Sequence, residues 1–396
     1  MKVKKIYEKK MRICLMSILP AVMAVSCSTE ERAQDALPGQ ECKAVVVTLH
    51  VGVCEMTGNT STRATEQMSP EMENTIKSLA VMEFDNEGLH EKGESTYHFI
   101  DFIKGTVDGV ETLPATTDGM LNTSLDGLSL MSYSDATLCL VANVTEEQVD
   151  DFYDRYREPG QTPGNIRLEQ FKKWSLPFEY EDNMELDPDE SVSGHIRQMY
   201  MFGYYRGAVD PAAAGSIRVE LGRLASRVAI TIRNDTGEDI DRLLWYHFDN
   251  VSHEAYVFPG HASIPSDEVR HTITYICSGT EEGIANVPET FAKGSEHTRY
   301  FYIAGHAASN EDEATKLHLF YGAYMLDGDI PADGGADFHI ALGNLPPEEA
   351  GGNAGGYYLN RNTFYHFTIL LKKSGSAMSR SASSDESTDK MTLILP

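Results

Sequence analysis

Residues 225–233 read ASRVAITIR, which sets Val228, Ile230 and Ile232 on one side of an extended chain and Ala229, Thr231 and Arg233 on the other. Apolar side chains at every second position mark a half-buried β-strand, whereas a helix would need them three and four residues apart. Runs of the same kind recur through the second half of the chain, at 216–220, 242–248, 272–276, 299–303, 316–325, 338–342 and 363–372. Short strands separated by Gly, Pro and Asp turns predict a β-sandwich.

Upstream of this stretch, VDPAAAG at 209–215 interrupts the pattern and is expected to mark a domain boundary. Before it, strands are predicted at 45–51, 76–84, 96–103 and 136–142, the last apolar on both faces as a central strand would be. One helix stands out. Thr145-Glu146-Glu147-Gln148 has the spacing of a capping box, and Val149, Phe152, Tyr153 and Tyr156 then share one face until Pro159-Gly160. The chain therefore reads as mainly β, with an N-terminal β-sandwich domain over 44–210 carrying one or two short helices and a C-terminal one over 215–373. The remainder, 374–396, is a Ser-rich linker followed by MTLILP at 391–396. A terminal strand on such a linker can fold back as an edge strand or add to another molecule's sheet.

The first 43 residues carry an address rather than a fold. Lys2, Lys4, Lys5, Lys9, Lys10 and Arg12 precede an apolar run at 13–25, which falls short of the roughly 20 residues that span a bilayer and has the charge asymmetry of a secretory signal. Ala24-Val25-Ser26 then lead into Cys27, the arrangement at which a bacterial lipoprotein is cut and acylated. Residues 1–26 are thus read as a lipoprotein signal peptide, Cys27 as the lipidation site and 27–43 as a tether. Glu30-Glu31 just past the cysteine resembles the signal that sends Bacteroidetes lipoproteins to the outer face of the outer membrane.

A formal charge of −27 over 396 residues excludes a nucleic-acid partner, because polyphosphate is repelled at long range and counterion release needs Lys and Arg. The same charge disfavours docking on anionic lipid headgroups, so attachment to a membrane would rest on acyl chains. Six cysteines do not form a disulfide framework. Cys42 and Cys54 bracket what reads as one extended strand, roughly 40 Å from end to end, far beyond the reach of a disulfide. Cys139 and Cys277 sit inside apolar strands as small core residues.

Chemistry-bearing patterns are missing. The thirteen histidines include no H-E-x-x-H and no zinc spacing with a cysteine partner. His247 and His253 flank Asp249 and Asn250 across a predicted turn, and no metal site is expected there. Neither G-x-S-x-G nor a phosphate-binding G-x-x-x-x-G-K occurs, and the glycine-rich 351–356 reads as a loop. No enzyme activity and no cofactor are expected. A glycan-binding surface lipoprotein is the alternative, with Trp245, Tyr246 and Tyr256 stacking on sugars, although aromatics alternating within strands are more often buried.

Four patches together resemble the Bacteroidales fimbrillin superfamily, the type V pilins with their anchor and tip relatives. They are Thr62-Arg63-Ala64 followed by Ile76-Lys77-Ser78-Leu79 and a strand ending at Phe84-Asp85-Asn86-Glu87-Gly88; LCLVANVTEEQ at 138–148; VELGRLASRV at 219–228; and LNRNTFYHFTILL at 359–371. The resemblance implies two transthyretin-like β-sandwich domains and assembly by strand exchange. In that family a protease cuts after an arginine following the first strand, which frees a groove for a donor strand from the next subunit. Arg63 and Ala64 match that processing site, residues 43–53 would be the strand removed, and 391–395 is the candidate donor. Anchor members keep their lipid and do not exchange strands in the same way. The expectation is a fimbrial subunit, tip or anchor protein on the outer membrane, acting in pilus assembly and cell adhesion. Its partners would be other fimbrial subunits, the membrane through its lipid, and host or bacterial surface ligands.

Overall fold

The computed structural model describes residues 43–54, 56, 74–86, 95–101, 122–156, 166–178, 199–209, 216–241, 243–259, 271–278, 290–308, 310–322, 336–345, 356–373 and 388–395. The protein is mainly β. The first half contains β1 (Ala44–Val53), β2 (Ser78–Asp85), β3 (Ser95–Asp101), β4 (Asn122–Met131), β5 (Ala136–Ala142), α1 (Glu146–Tyr156), α2 (Leu168–Phe171), β6 (Ser175–Pro177), β7 (Met201–Gly207) and β8 (Ser216–Arg223). The second contains β9 (Ala225–Asn234), β10 (Leu243–Val251), β11 (Glu254–Tyr256), β12 (His271–Ser278), β13 (Glu296–Ala304), β14 (His306–Ala308), β15 (Lys316–Gly322), β16 (Ala336–Ala341), β17 (Asn344–Leu345), β18 (Gly356–Leu359), β19 (Phe364–Lys373) and β20 (Thr388–Leu395).

In the first half seven strands run in the order β3-β2-β5-β7-β8-β1-β4. The predicted central strand β5 is buried at every position, between β2 and β7. The ladder narrows at β7–β8 to two residue pairs, Met201 with Arg223 and Phe202 with Gly222, and the sheet folds over there. Gly203 marks the close approach, since a Cβ on it would lie 2.3 Å from the Glu220 carbonyl oxygen. Folding over brings β2 against β4 although they lie far apart in the ladder. The fully buried Glu83 of β2 accepts a hydrogen bond from the Met131 backbone N–H of β4 at 2.8 Å. Burial pushes the Glu83 carboxyl up to about 7, against the opposing Met131 N–H and with a smaller push from Asp85.

The helix α1 begins as its sequence predicts. Thr145 N–H donates to Gln148 Oε1 at 2.9 Å, and Gln148 N–H donates to Thr145 Oγ1 at 3.1 Å, which satisfies two of the helix's orphan donors reciprocally. Val149, Phe152 and Tyr153 are buried beneath it. Phe152 stacks on Trp174 at 4.7 Å and meets Phe171 edge-on at 6.0 Å. Before α1, Asn143 takes φ 65, a left-handed backbone that asparagine tolerates. Its buried amide accepts from Lys77 N–H at 2.7 Å and donates to Thr75 O at 2.9 Å and Met199 O at 2.7 Å.

The second half stacks the sheet β12-β10-β15-β16 on the sheet β13-β9-β19-β20. Tyr246 and Phe248 of β10 meet Phe301 of β13 at 5.9 Å and 4.7 Å between ring centres, and Leu317, Leu319, Ile230, Ile369 and Leu371 fill the rest of the same core. The strand ASRVAITIR departs from the half-buried expectation. Ala229 and Thr231 on its other face are also buried, because β9 is central and its outer face is roofed. The Arg227 guanidinium lies 4.9 Å from the Tyr300 ring and 4.8 Å from the Phe364 ring, while Thr231 Oγ1 lies 2.8 Å from both Thr298 Oγ1 and His366 Nε2.

The division between the halves also shifts. The sequence placed the second domain's first strand at 216–220, but β8 pairs in parallel with β1 from Thr48–Ser216 to Val53–Leu221 and so belongs to the first sheet. The chain enters the second sandwich at β9, one residue later. Further ties cross the junction. Here β6 pairs with β11, Val257 N–H donates to Trp174 O at 2.8 Å, and Phe258 packs on Phe202 and Tyr204 at 5.5 Å and 5.3 Å.

Candidate functional site: a strand held inside the sheet

The β1 sequence AVVVTLHVGV alternates, so Val45, Val47, Leu49, Val51 and Val53 face the core and are buried while Val46 is 66% exposed. Its neighbours are β8 on one edge, parallel, and β4 on the other, antiparallel. The β4 ladder skips at Thr48, which faces an extra residue around Gly127. Gly127 takes φ 81, the backbone a bulge of this kind requires, and Thr48 Oγ1 donates to Asp126 Oδ1 across it at 3.0 Å. Taking β1 away would open a slot between two unpaired strand edges lined by apolar side chains. An open edge of this kind templates pairing with another chain.

The end of β1 is fixed by the junction between the halves. Cys54 N–H donates to Leu221 O at 2.9 Å. The buried Arg223 donates from Nη1 to Cys54 O at 2.9 Å and to Asn362 Oδ1 at 2.8 Å, and from Nη2 to Asn74 Oδ1. Asn362 takes φ 54 and donates its own N–H to Ala225 O at 2.8 Å. The adjacent Arg361 donates from Nη1 to Tyr256 O at 3.1 Å and Val257 O at 2.8 Å, and burial lowers its pKa to about 10. Sequence reasoning noted Arg361-Asn362 only as part of a patch. Asn362 ties the second sandwich to Arg223, which in turn holds Cys54 at the end of β1, while Arg361 fastens the end of β11 within the second half, roles that no local pattern discloses.

The terminal strand folds back within its own chain. It begins three residues before the predicted 391 and runs as β20 parallel to β19, from His366–Thr388 to Lys373–Leu395. There it forms the edge of the second sandwich's sheet, with Leu393 partly buried against the core. Cys27, Arg63 and Ala64 lie outside the described residues, as do the signal segment and most of the predicted linkers. Cys139 is buried and free, as its strand context implied. Of the aromatic trio considered for sugar stacking, Tyr246 is fully buried and Trp245 nearly so, stacked on Phe320 at 4.0 Å. Among the described residues no helix is long and apolar enough to cross a membrane.

No protein-family model matches the chain, and no curated protein does. Among solved structures it is similar to the tip fimbrial protein Mfa3 of Porphyromonas gingivalis in a C-terminally truncated form, at 14% identity over 82% of this chain and 94% of that one, with a TM-score of 0.44. It is similar to a candidate cell-adhesion protein of Parabacteroides distasonis at 13% identity over 87% and 94%, TM-score 0.45. It is also similar to a fimbrial assembly protein of the same organism at 10% identity over 82% and 92%, TM-score 0.39. At overlaps this low the reading of function rests on the chain's own strands.

Proposed function

We propose that the chain is a cell-surface fimbrial subunit, tip or anchor protein that joins other subunits by β-strand exchange, with β1 as the strand displaced. The observation that carries this reading is the place of β1, an N-terminal strand of alternating pattern held inside a sheet rather than at its edge. Five buried side chains at about 1.5–3 kcal/mol each amount to roughly 8–15 kcal/mol of apolar burial in that slot. A donor strand would have to supply a comparable amount. The candidate donor is the terminal segment, whose Met391, Leu393 and Leu395 alternate as the buried residues of β1 do. Cleavage after Arg63, on a polar segment beyond β1, would release the strand, and acylation of Cys27 would hold the unprocessed chain at the outer membrane. No catalytic step is required.

Trypsin treatment tests it. Uncut protein is expected to be monomeric, and cut protein to form SDS-resistant multimers that require residues 391–396. Polymerisation of Arg63→Ala to the same extent as the unaltered protein would remove processing at this site from the mechanism.

A further inference from the structure

The outer face of the sheet β12-β10-β15-β16 carries a rank of histidines that the assembly reading does not use. His247 of β10 pairs in register with His318 of β15, and His318 with His339 of β16. Asp249 follows His247 by two residues, on the same face. Its carboxylate lies 3.1 Å from His247 Nε2 through Oδ1 and 3.0 Å from His318 Nε2 through Oδ2. The ligand atoms of His247, Asp249 and His318 all lie within 4.8 Å of one another. His339 is exposed beside them, with Nδ1 2.6 Å from His318 Nε2.

We propose that His247, Asp249 and His318 form a binding site for a zinc-class divalent transition metal, with His339 closing the fourth position by a side-chain rotation. Imidazole nitrogens and a carboxylate oxygen bind zinc at about 2.0–2.2 Å, which sets tetrahedral ligands about 3.3 Å apart. The observed separations of 3.0 Å and 3.1 Å need only a small outward shift to admit the ion. Hydrogen-bond arithmetic points the same way. His318 Nε2 carries either a proton or a lone pair, yet it faces both the Asp249 carboxylate and His339 Nδ1. A cation at the shared centre accepts lone pairs from all of these groups at once.

The surroundings suit a small ion. Trp245 and Phe320 form the next rung, 5.4 Å and 5.3 Å from the His247 ring, and screen one side from water. His247 and His318 stay 14% exposed and Asp249 27%, which leaves an entry path. Lys316, opposite Asp249 in the register, turns instead to Asp312 at 3.7 Å. Four protein ligands leave no open position for substrate, so the ion is a structural clamp across three strands that holds the edge strand β16 to its sheet. The histidines are 71 and 21 residues apart along the chain, numbers that follow from 318 − 247 and 339 − 318. Such spacings match no zinc motif and arise only once the strands are in register.

The test is zinc titration of the metal-stripped, purified chain by calorimetry, with cobalt absorption as a report on geometry. One equivalent should bind, with a tetrahedral cobalt spectrum and a higher unfolding midpoint. The double variant His247→Gln/His318→Gln, which keeps polar side chains on the face, should lose at least about ten-fold in affinity. His339→Gln should lose less, and His366→Gln on the other sheet nothing. Circular dichroism on each variant separates loss of ligands from loss of fold. Stoichiometric zinc binding retained by a folded double variant, or none by the unaltered chain, would overturn the proposal.

Discussion

Glu83 gives the sharpest test of how the first sandwich closes. Its carboxyl is fully buried on β2, with one oxygen bound to Met131 N–H and Oε1 without a hydrogen-bond partner among the described residues. Burial raises its pKa from 4.5 to about 7. The folded chain therefore holds a proton between about pH 4.5 and 7 that the unfolded chain releases, so this group's contribution is fully present below pH 4.5 and falls as pH rises through 7. At about 1.4 kcal/mol per pKa unit, the loss is about 3 kcal/mol by pH 8. Glu83→Gln keeps an acceptor for Met131 and removes the charge. In urea unfolding followed by intrinsic fluorescence, the variant should match the unaltered protein near pH 4.5 and exceed it by about 3 kcal/mol at pH 8. Comparing the two at each pH cancels the other carboxylates. A difference that stays constant from pH 4.5 to 8 would show that Glu83 is not buried in this way, and the folding-over of β2 onto β4 would lose its support.

Gly203→Ala places a Cβ 2.3 Å from a backbone oxygen of β8, and the strand cannot yield as a side chain can. A loss of about 1–3 kcal/mol or more is expected from the urea midpoint, whereas Gly207→Ala meets only the swinging Tyr205 side chain and should cost less. Arg223→Met removes the guanidinium donor from Cys54 O and from Asn362 Oδ1, which keeps the residue's backbone N–H at 3.3 Å. It should cost on the order of 2–4 kcal/mol and raise the rate of proteolysis at the end of β1, and an unchanged cleavage rate would separate the junction from the strand.

Period-two alternation and turn residues made most strands legible, and α1 was legible because its cap is written in four adjacent residues. Alternation reports one covered face and cannot say whether a second is covered. That is why ASRVAITIR read as half-buried when Tyr300 and Phe364, 67 and 131 residues beyond its end, close its other side. β8 read as a strand of the second half for a related reason. The 209–215 stretch is a true break in composition, but β8 after it finds its partner in β1, and strand partners are not encoded locally. β1 itself was legible by its β-branched run. The rank formed by His247, His318 and His339 was not, since register alone brings the three together.

The parallel pairing of β1 with β8 and of β20 with β19 sets how the molecule carries tension. Force applied to the chain ahead of Ala44 runs along the axis of β1, and force applied beyond Leu395 runs along β20. Either pull slides a strand lengthwise past its neighbour, which strains every rung of the ladder together. Peeling would break rungs one after another at far lower force. A strand that stands inside a sheet with rungs on both edges, as β1 does, is the better placed of the two to bear load.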